Sequence, residues 1–134
     1  FGSMELEIES VRIIGSNDMS IEAIGPDEPL TIEIDYRAPD HIVPIIGFSI
    51  GTMDREHIDL STEGDRVALP GGSQRVAIRL ERLGLSMGNY DISVGLYEPS
   101  WAYAYDYHWR AYPLTVMGPE AGDRSGPPRR WVVR

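Results

Sequence analysis

The stretch Tyr90-Asp91-Ile92-Ser93-Val94-Gly95-Leu96 sets a large apolar side chain at every even position and a small or acidic residue between. A repeat of two is the repeat of an extended strand with one face buried, because successive side chains leave a strand on opposite sides. The same alternation recurs outward from it. Leu30, Ile32, Ile34 and Tyr36 alternate with Thr31, Glu33, Asp35 and Arg37, and Ile46, Phe48 and Ile50 with Gly47, Ser49 and Gly51. Val76, Ile78 and Leu80 form a third set, and Tyr112, Leu114 and Val116 a fourth. An N-terminal strand from about Glu5 to Ile14 and a short one near His57–Ser61 complete the pattern. Turn chemistry separates these runs at Gly25-Pro26-Asp27, Ala38-Pro39-Asp40, Pro70-Gly71-Gly72, Met87-Gly88-Asn89 and Glu98-Pro99-Ser100. No window carries a long amphipathic helix. The spacing predicts an all-β fold, a two-sheet antiparallel β-sandwich of immunoglobulin-like or jelly-roll type.

Charge and composition narrow the function. The 134 residues carry a formal net charge of −9, and all 12 basic residues are Arg. Nucleic-acid binding relies on neutralising phosphates, so this balance disfavours it. It equally disfavours docking on an anionic membrane through a basic patch. With no Cys, disulfides, thiol catalysis and thiolate metal sites are excluded. With no Lys, a Lys-bearing phosphate loop is excluded too. The only histidines are His41, His57 and His108. A metal site of His57, Asp106 and His108 is conceivable, but His and Asp dispersed in this way read as surface or hydrogen-bonded groups. No metal and no cofactor is expected. Glycoside hydrolysis needs two carboxyls across a cleft. Asp59 or Glu56 opposite Asp106 would be the candidates, yet among 21 acidic residues such pairs arise by chance. The chain reads as non-catalytic.

The outward positions carry the functional information. The strands around Glu33 and Arg79 present a mixed-charge face of Glu33, Asp35, Arg37, Arg75, Arg79 and Glu81. The strands around Ser49, Ser93 and Pro113 present small residues instead: Gly47, Ser49 and Gly51, then Ser93 and Gly95, then Ala111, Pro113 and Thr115. Three such strands in one sheet would leave a shallow trough. Beside it, Trp101, Tyr103, Tyr105, Tyr107 and Trp109 recur at every second residue, with Asp106 and His108 between. A continuous strand would set the five rings on one face and Asp106 and His108 on the other, with two or three rings inside the fold. Flat rings with polar tips suit sugars, whose C–H faces stack while their hydroxyls seek partners. The expected carbohydrate-binding residues are Trp101, Tyr103, Asp106, His108, Ser49, Gly51, Ser93, Tyr97 and His57. The alternative is a protein-interaction or dimerisation sandwich with the aromatic strip as interface.

The ends divide the chain. Residues 1–4 read as an expression-tag remnant, 5–117 as the sandwich, and 118–128 as a linker rich in Gly and Pro. Residues 129–134 read as a C-terminal strand. Such a strand folds back on its own sheet edge or adds to a neighbour's, with Trp131, Val132 and Val133 as the dimerisation residues.

Three segments carry a resemblance to a known family: Gly88-Asn89-Tyr90-Asp91-Ile92-Ser93-Val94-Gly95-Leu96, Tyr105-Asp106-Tyr107-His108, and Ala111-Tyr112-Pro113-Leu114-Thr115-Val116. Together they resemble the C-terminal domain of Wzt-type ABC-transporter ATPases. Pro29-Leu30 through Pro39 and the closing Pro128-Arg129-Arg130-Trp131 fit the same domain, so the resemblance spans nearly the whole sequence. It implies a sandwich that binds the exported polysaccharide, often an O-antigen glycan with a terminal modification, and couples recognition to export. It also implies dimers formed by exchange of the C-terminal strand. The parent would be cytoplasmic, peripheral to the inner membrane and paired with a transporter membrane subunit, its ATPase domain lying outside this sequence. One departure bears on glycan specificity. The family often shows a Gly-Thr-Asn-Thr-like segment where this chain has Ile58-Asp59-Leu60-Ser61-Thr62.

Overall fold

Nine strands appear in the computed structural model, which describes residues 6–25, 27–38, 42–67, 69, 74–117 and 129–133. The 1–4 remnant, the 118–128 linker, His41, the last residue and the Pro-containing turns at 26, 39–40 and 70–72 lie at least partly outside the described residues. The strands are β1 (Glu7–Ile14), β2 (Ala23–Ile24), β3 (Leu30–Arg37), β4 (Ile45–Gly51), β5 (Glu56–Ser61), β6 (Arg75–Leu80), β7 (Gly88–Tyr97), β8 (Ala104–Val116) and β9 (Arg129–Val133). They form a four-stranded sheet, β1-β3-β6-β9, and a five-stranded sheet, β2-β8-β7-β4-β5. Every pairing is antiparallel except the two-residue β2–β8 contact. Among the described residues no helix is long and apolar enough to cross a membrane.

The alternating positions meet between the sheets. Ile32, Ile34, Tyr36, Val76, Ile78 and Leu80 from one sheet pack against Ile46, Ile50, Ile92, Val94 and Leu96 from the other, all essentially solvent-free. Burying one such side chain contributes about 1.5–3 kcal/mol of transfer free energy, so this layer fixes the register of both sheets. The outer face of the four-stranded sheet is the mixed-charge surface that the alternation predicts. Arg75 meets Asp35 at 2.5 Å, Arg37 meets Glu7 at 2.8 Å and Arg12 meets Glu33 at 3.2 Å. Such half-exposed pairs stabilise little in water.

The tail strand β9 docks on its own chain, antiparallel to β6, with Trp131 opposite Ile78 and Val133 opposite Val76. Trp131 and Val133 pack on the core, while Val132 pairs with Ala77. Trp131 meets the ring of Phe48 edge-on at 6.1 Å. Its indole N–H donates to Asp65 at 2.8 Å, and the same carboxylate takes a two-pronged contact from Arg129 at 2.8 and 2.9 Å. Asp65 thereby fastens the tail to the turn after β5.

The continuous five-ring strand expected over 101–109 does not form. Trp101 adopts a left-handed backbone conformation (φ 65°) in the β7–β8 turn, where its N–H donates to the Glu98 carbonyl. The strand begins only at Ala104. Two register shifts then break the alternation along β8, one between Leu96 and Tyr97 and one between Ile92 and Val94, the latter beside Arg110 (φ 50°). Each bulge inserts residues without partners and changes which face the following side chains take. Tyr105 turns toward the core, Tyr107 lies on the outer face, and Trp101, Tyr103 and Trp109 stay exposed.

Candidate functional site

The outer face of the five-stranded sheet carries a trough across β5, β4, β7 and β8. One recess of about 340 Å³ is floored by Gly47, Ser49 and Ser93 and walled by Tyr97, Trp101 and Tyr107, with Glu56, Asp59 and Ser61 along the β5 side. A second recess of about 200 Å³ shares Ser49, Glu56 and Ser93 and runs on to Gly51, Asp91, Trp109 and Arg110. The register explains why these residues converge. Gly47 pairs with Gly95 and Ser61, and Ser49 with Ser93 and Asp59, so β4, β5 and β7 turn their small or polar faces the same way.

The glycines do more than leave space. A Cβ on Gly95 would stand 2.7 Å from Cζ and Oη of Tyr97, and one on Gly47 would stand 3.2 Å from the same ring. The two glycines form a seat on which the Tyr97 ring lies across the sheet. From that seat it meets Trp101 at 4.9 Å between ring centroids and Tyr107 at 6.1 Å. Burial of the phenol, with Tyr107, Asp59 and Glu56 nearby, pushes its pKa up to about 12, so Tyr97 keeps its proton and remains a donor. Gly51 has a different role. A side chain there would strike the Arg55 carbonyl at 2.5 Å, so this glycine admits the tight β4–β5 turn.

Polar partners hold the rim. The Trp101 indole N–H donates to Glu63 at 2.6 Å, leaving the ring 45% exposed. Glu98 accepts from the backbone N–H groups of Ser100 at 2.9 Å and Ala102 at 3.3 Å, and from the Ser100 hydroxyl. These bonds brace the turn that presents Trp101. At the far end the Ser93 hydroxyl accepts from Arg110 N–H at 2.6 Å, and the Arg110 guanidinium is fixed on Asp91. Burial and the adjacent Asp59 carboxylate raise the Glu56 pKa, against a smaller opposing effect of the Ser49 hydroxyl.

The trough gathers Ser49, Gly51, Ser93, Tyr97 and Trp101 of the residues singled out from sequence. It does not gather Asp106, His108, His57 or Tyr103. Asp106 faces the space between the sheets, opposite buried Leu96, where its carboxylate accepts from Ile8 N–H of β1 at 2.8 Å and from Tyr107 N–H at 2.9 Å. His108 lies opposite Val94 on the same inner side, its Nδ1 2.6 Å from the Tyr112 hydroxyl. His57 is the extra residue of the β4–β5 bulge and meets the Tyr90 ring edge-on at 5.5 Å. Tyr103 stands edge-on to Tyr105 at 5.3 Å, away from the trough, so it does not extend the aromatic wall. The hydrolase arrangement fails for the same reason as the strip. Glu56 and Asp59 line the outer trough, while Asp106 lies on the inner side of the sheet. Among the described residues no group of three or more His, Asp or Glu is placed to hold a metal ion.

The family model of the Wzt C-terminal domain matches residues 1–126. The chain belongs to the Wzt C-terminal domain family. As a member of it, the chain is a domain of a polysaccharide ABC transporter. A solved structure described as the C-terminal domain of Wzt superposes with a TM-score of 0.69, covering 88% of this chain and 77% of that one at 13% identity. At that identity the likeness speaks for the fold alone. No curated protein matches the chain. Within the Wzt fold, Tyr107, Glu56, Asp59 and Glu63 are trough or rim residues that the alternation did not single out for binding. Gly95 and Tyr97, two apart on one strand and hence on one face, were the available signal for the ring seat.

Proposed function

We propose that this domain binds the polysaccharide carried by its transporter, in the trough of the five-stranded sheet, and that binding is coupled to export. The observation that carries this reading is the wall of Tyr97, Trp101 and Tyr107 standing over a floor of Ser49 and Ser93, flanked by Glu56 and Asp59. Rings of this kind offer apolar faces to sugar C–H groups, and hydroxyls and carboxylates beside them accept sugar O–H bonds. An open groove suits a chain end or a short segment of an O-antigen-type polymer better than an enclosed small molecule. The alternative is an aromatic interface for a protein partner, but six of the eleven residues lining the larger recess are Gly, Ser, Asp or Glu, which favours sugar over an apolar protein surface.

The edge occupied by β9 supports a homodimer reading, since the bonds Asp65 makes to Arg129 and Trp131 serve equally for a neighbour's tail. The parent would act at the cytoplasmic face of the inner membrane, pairing there with the transporter's membrane subunit. A glycan array followed by saturation-transfer NMR tests the central claim. Bound oligosaccharide should receive saturation from Tyr97, Trp101 and Tyr107, and the Trp101→Ala variant should bind far more weakly. Saturation arriving only from residues of the opposite sheet would refute this placement of the site.

A further inference from the structure

The charges around the trough bear on which polymer enters it. Glu56 and Asp59 are the charged side chains lining the larger recess among the described residues, and both are carboxylates. Neither forms an ion pair with an arginine among the described residues. The arginine at the far end, Arg110, is already committed to Asp91. In the adjoining recess Arg55 stands with Asp54, so the surroundings bring no net positive charge. Glu63 adds a third carboxylate at the Trp101 rim. The register places Asp59 directly across from Ser49, on the outward face, so this acidic edge borders the hydroxyl floor.

From this we infer that the trough selects uncharged glycan segments with paired hydroxyls and rejects segments bearing carboxylate or phosphate, Glu56 and Asp59 being the specificity-determining residues. The inference rests on the reading of the trough as the glycan site. Two carboxylates bordering one recess accept from two neighbouring sugar hydroxyls, whereas a sugar carboxylate or phosphate in the same place meets like charge.

The test is a titration, followed by Trp fluorescence, of neutral hexose oligosaccharides found to bind on an array, and of the same oligosaccharides oxidised at C6 to uronates. Against the unaltered domain the uronates should bind at least about tenfold more weakly. Glu56→Gln with Asp59→Asn, which keeps shape and hydrogen bonding, should shrink that gap severalfold, and so should high salt. A thermal melt of the double variant checks that it is folded. Uronates that bind the unaltered domain as tightly as the neutral sugars would overturn the inference and leave the glycan site standing. A gap unchanged in the folded double variant would also overturn the assignment to these two residues. Absence of binding by any neutral or anionic oligosaccharide would remove the glycan reading and the inference together.

Discussion

Gly95→Ala separates the site from the fold in a way the structure lets us work out. The new methyl would stand 2.7 Å from Cζ and Oη of Tyr97 and 2.8 Å from Cε2, closer than carbon atoms come without something moving. What moves is the far end of a side chain, so the backbone of β7 stays in register and the Tyr97 ring leaves its seat. The cost is the loss of two ring contacts, to Trp101 at 4.9 Å and Tyr107 at 6.1 Å. Aromatic pairs contribute about 0.5–1.5 kcal/mol each, so the gross loss is about 1–3 kcal/mol. Replacing a glycine inside a strand returns about 0.5–1 kcal/mol of backbone entropy. The net destabilisation is then about 0–2.5 kcal/mol, a fall in melting temperature of no more than about 10 °C. Glycan affinity should fall much further, because the central ring of the wall has gone. Loss of an aromatic anchor costs about 2 kcal/mol or more, roughly thirtyfold in Kd. The assay is calorimetric titration beside a thermal melt, with Trp fluorescence reporting the Trp101–Tyr97 contact. A Gly95→Ala protein that binds glycan normally with unchanged emission would refute the argument that the glycine exists to seat Tyr97.

Other outcomes follow from the same contacts. Trp101→Ala should weaken glycan binding by about 2 kcal/mol and change stability by less than about 1 kcal/mol, read by titration and melting together, since the ring is exposed at a turn. Asp106→Ala should do the reverse: its carboxylate ties β8 to Ile8 of β1, so stability should fall by about 1.5–3 kcal/mol while the folded variant binds glycan unchanged. Asp65→Ala should free the tail, detected as faster amide exchange at β9 and along β6 and as a changed mass in light scattering if tails are exchanged between chains. The Arg129 contact holds the Asp65 pKa below its ordinary value, with burial opposing and Trp131 assisting. A depressed carboxylate stabilises the folded state above its unfolded pKa and ceases to do so as pH falls through the folded one. Protection of β9 should therefore hold at neutral pH and fade below about pH 4, and exchange measured from pH 7 to 3 checks the sign.

The β-sandwich was legible because its evidence is local. Leu30 to Tyr36, Ile46 to Ile50 and Val76 to Leu80 each state their buried face within one strand, and all three faces are the observed ones. Even the outward glycines and serines of β4 and β7 signalled a surface unlike its opposite number. The two-residue β2 carried no such signal, being too short to alternate. The binding residues were harder to read where the alternation slips. Asp106 and His108 have the chemistry that sugars need, and the pattern placed them opposite the five rings. The turn at Trp101 and the bulges in β8 then divided those rings between faces, which no local composition announces.

By itself the sequence determined the class of fold, the identity of the inward residues, the acidic balance that disfavours phosphate-bearing partners, and the likeness to the Wzt C-terminal domain. These depend on the period of the chain, its composition and its short motifs. The tertiary structure alone decided that Tyr97 lies over Gly95 and Gly47, that Glu56 and Asp59 border the trough, and that Asp65 holds the tail. The reason is physical: each of these depends on which residues of distant strands stand side by side. A shift of one residue in pairing exchanges the two faces of a strand, and bulges in β8 make such shifts within a single element.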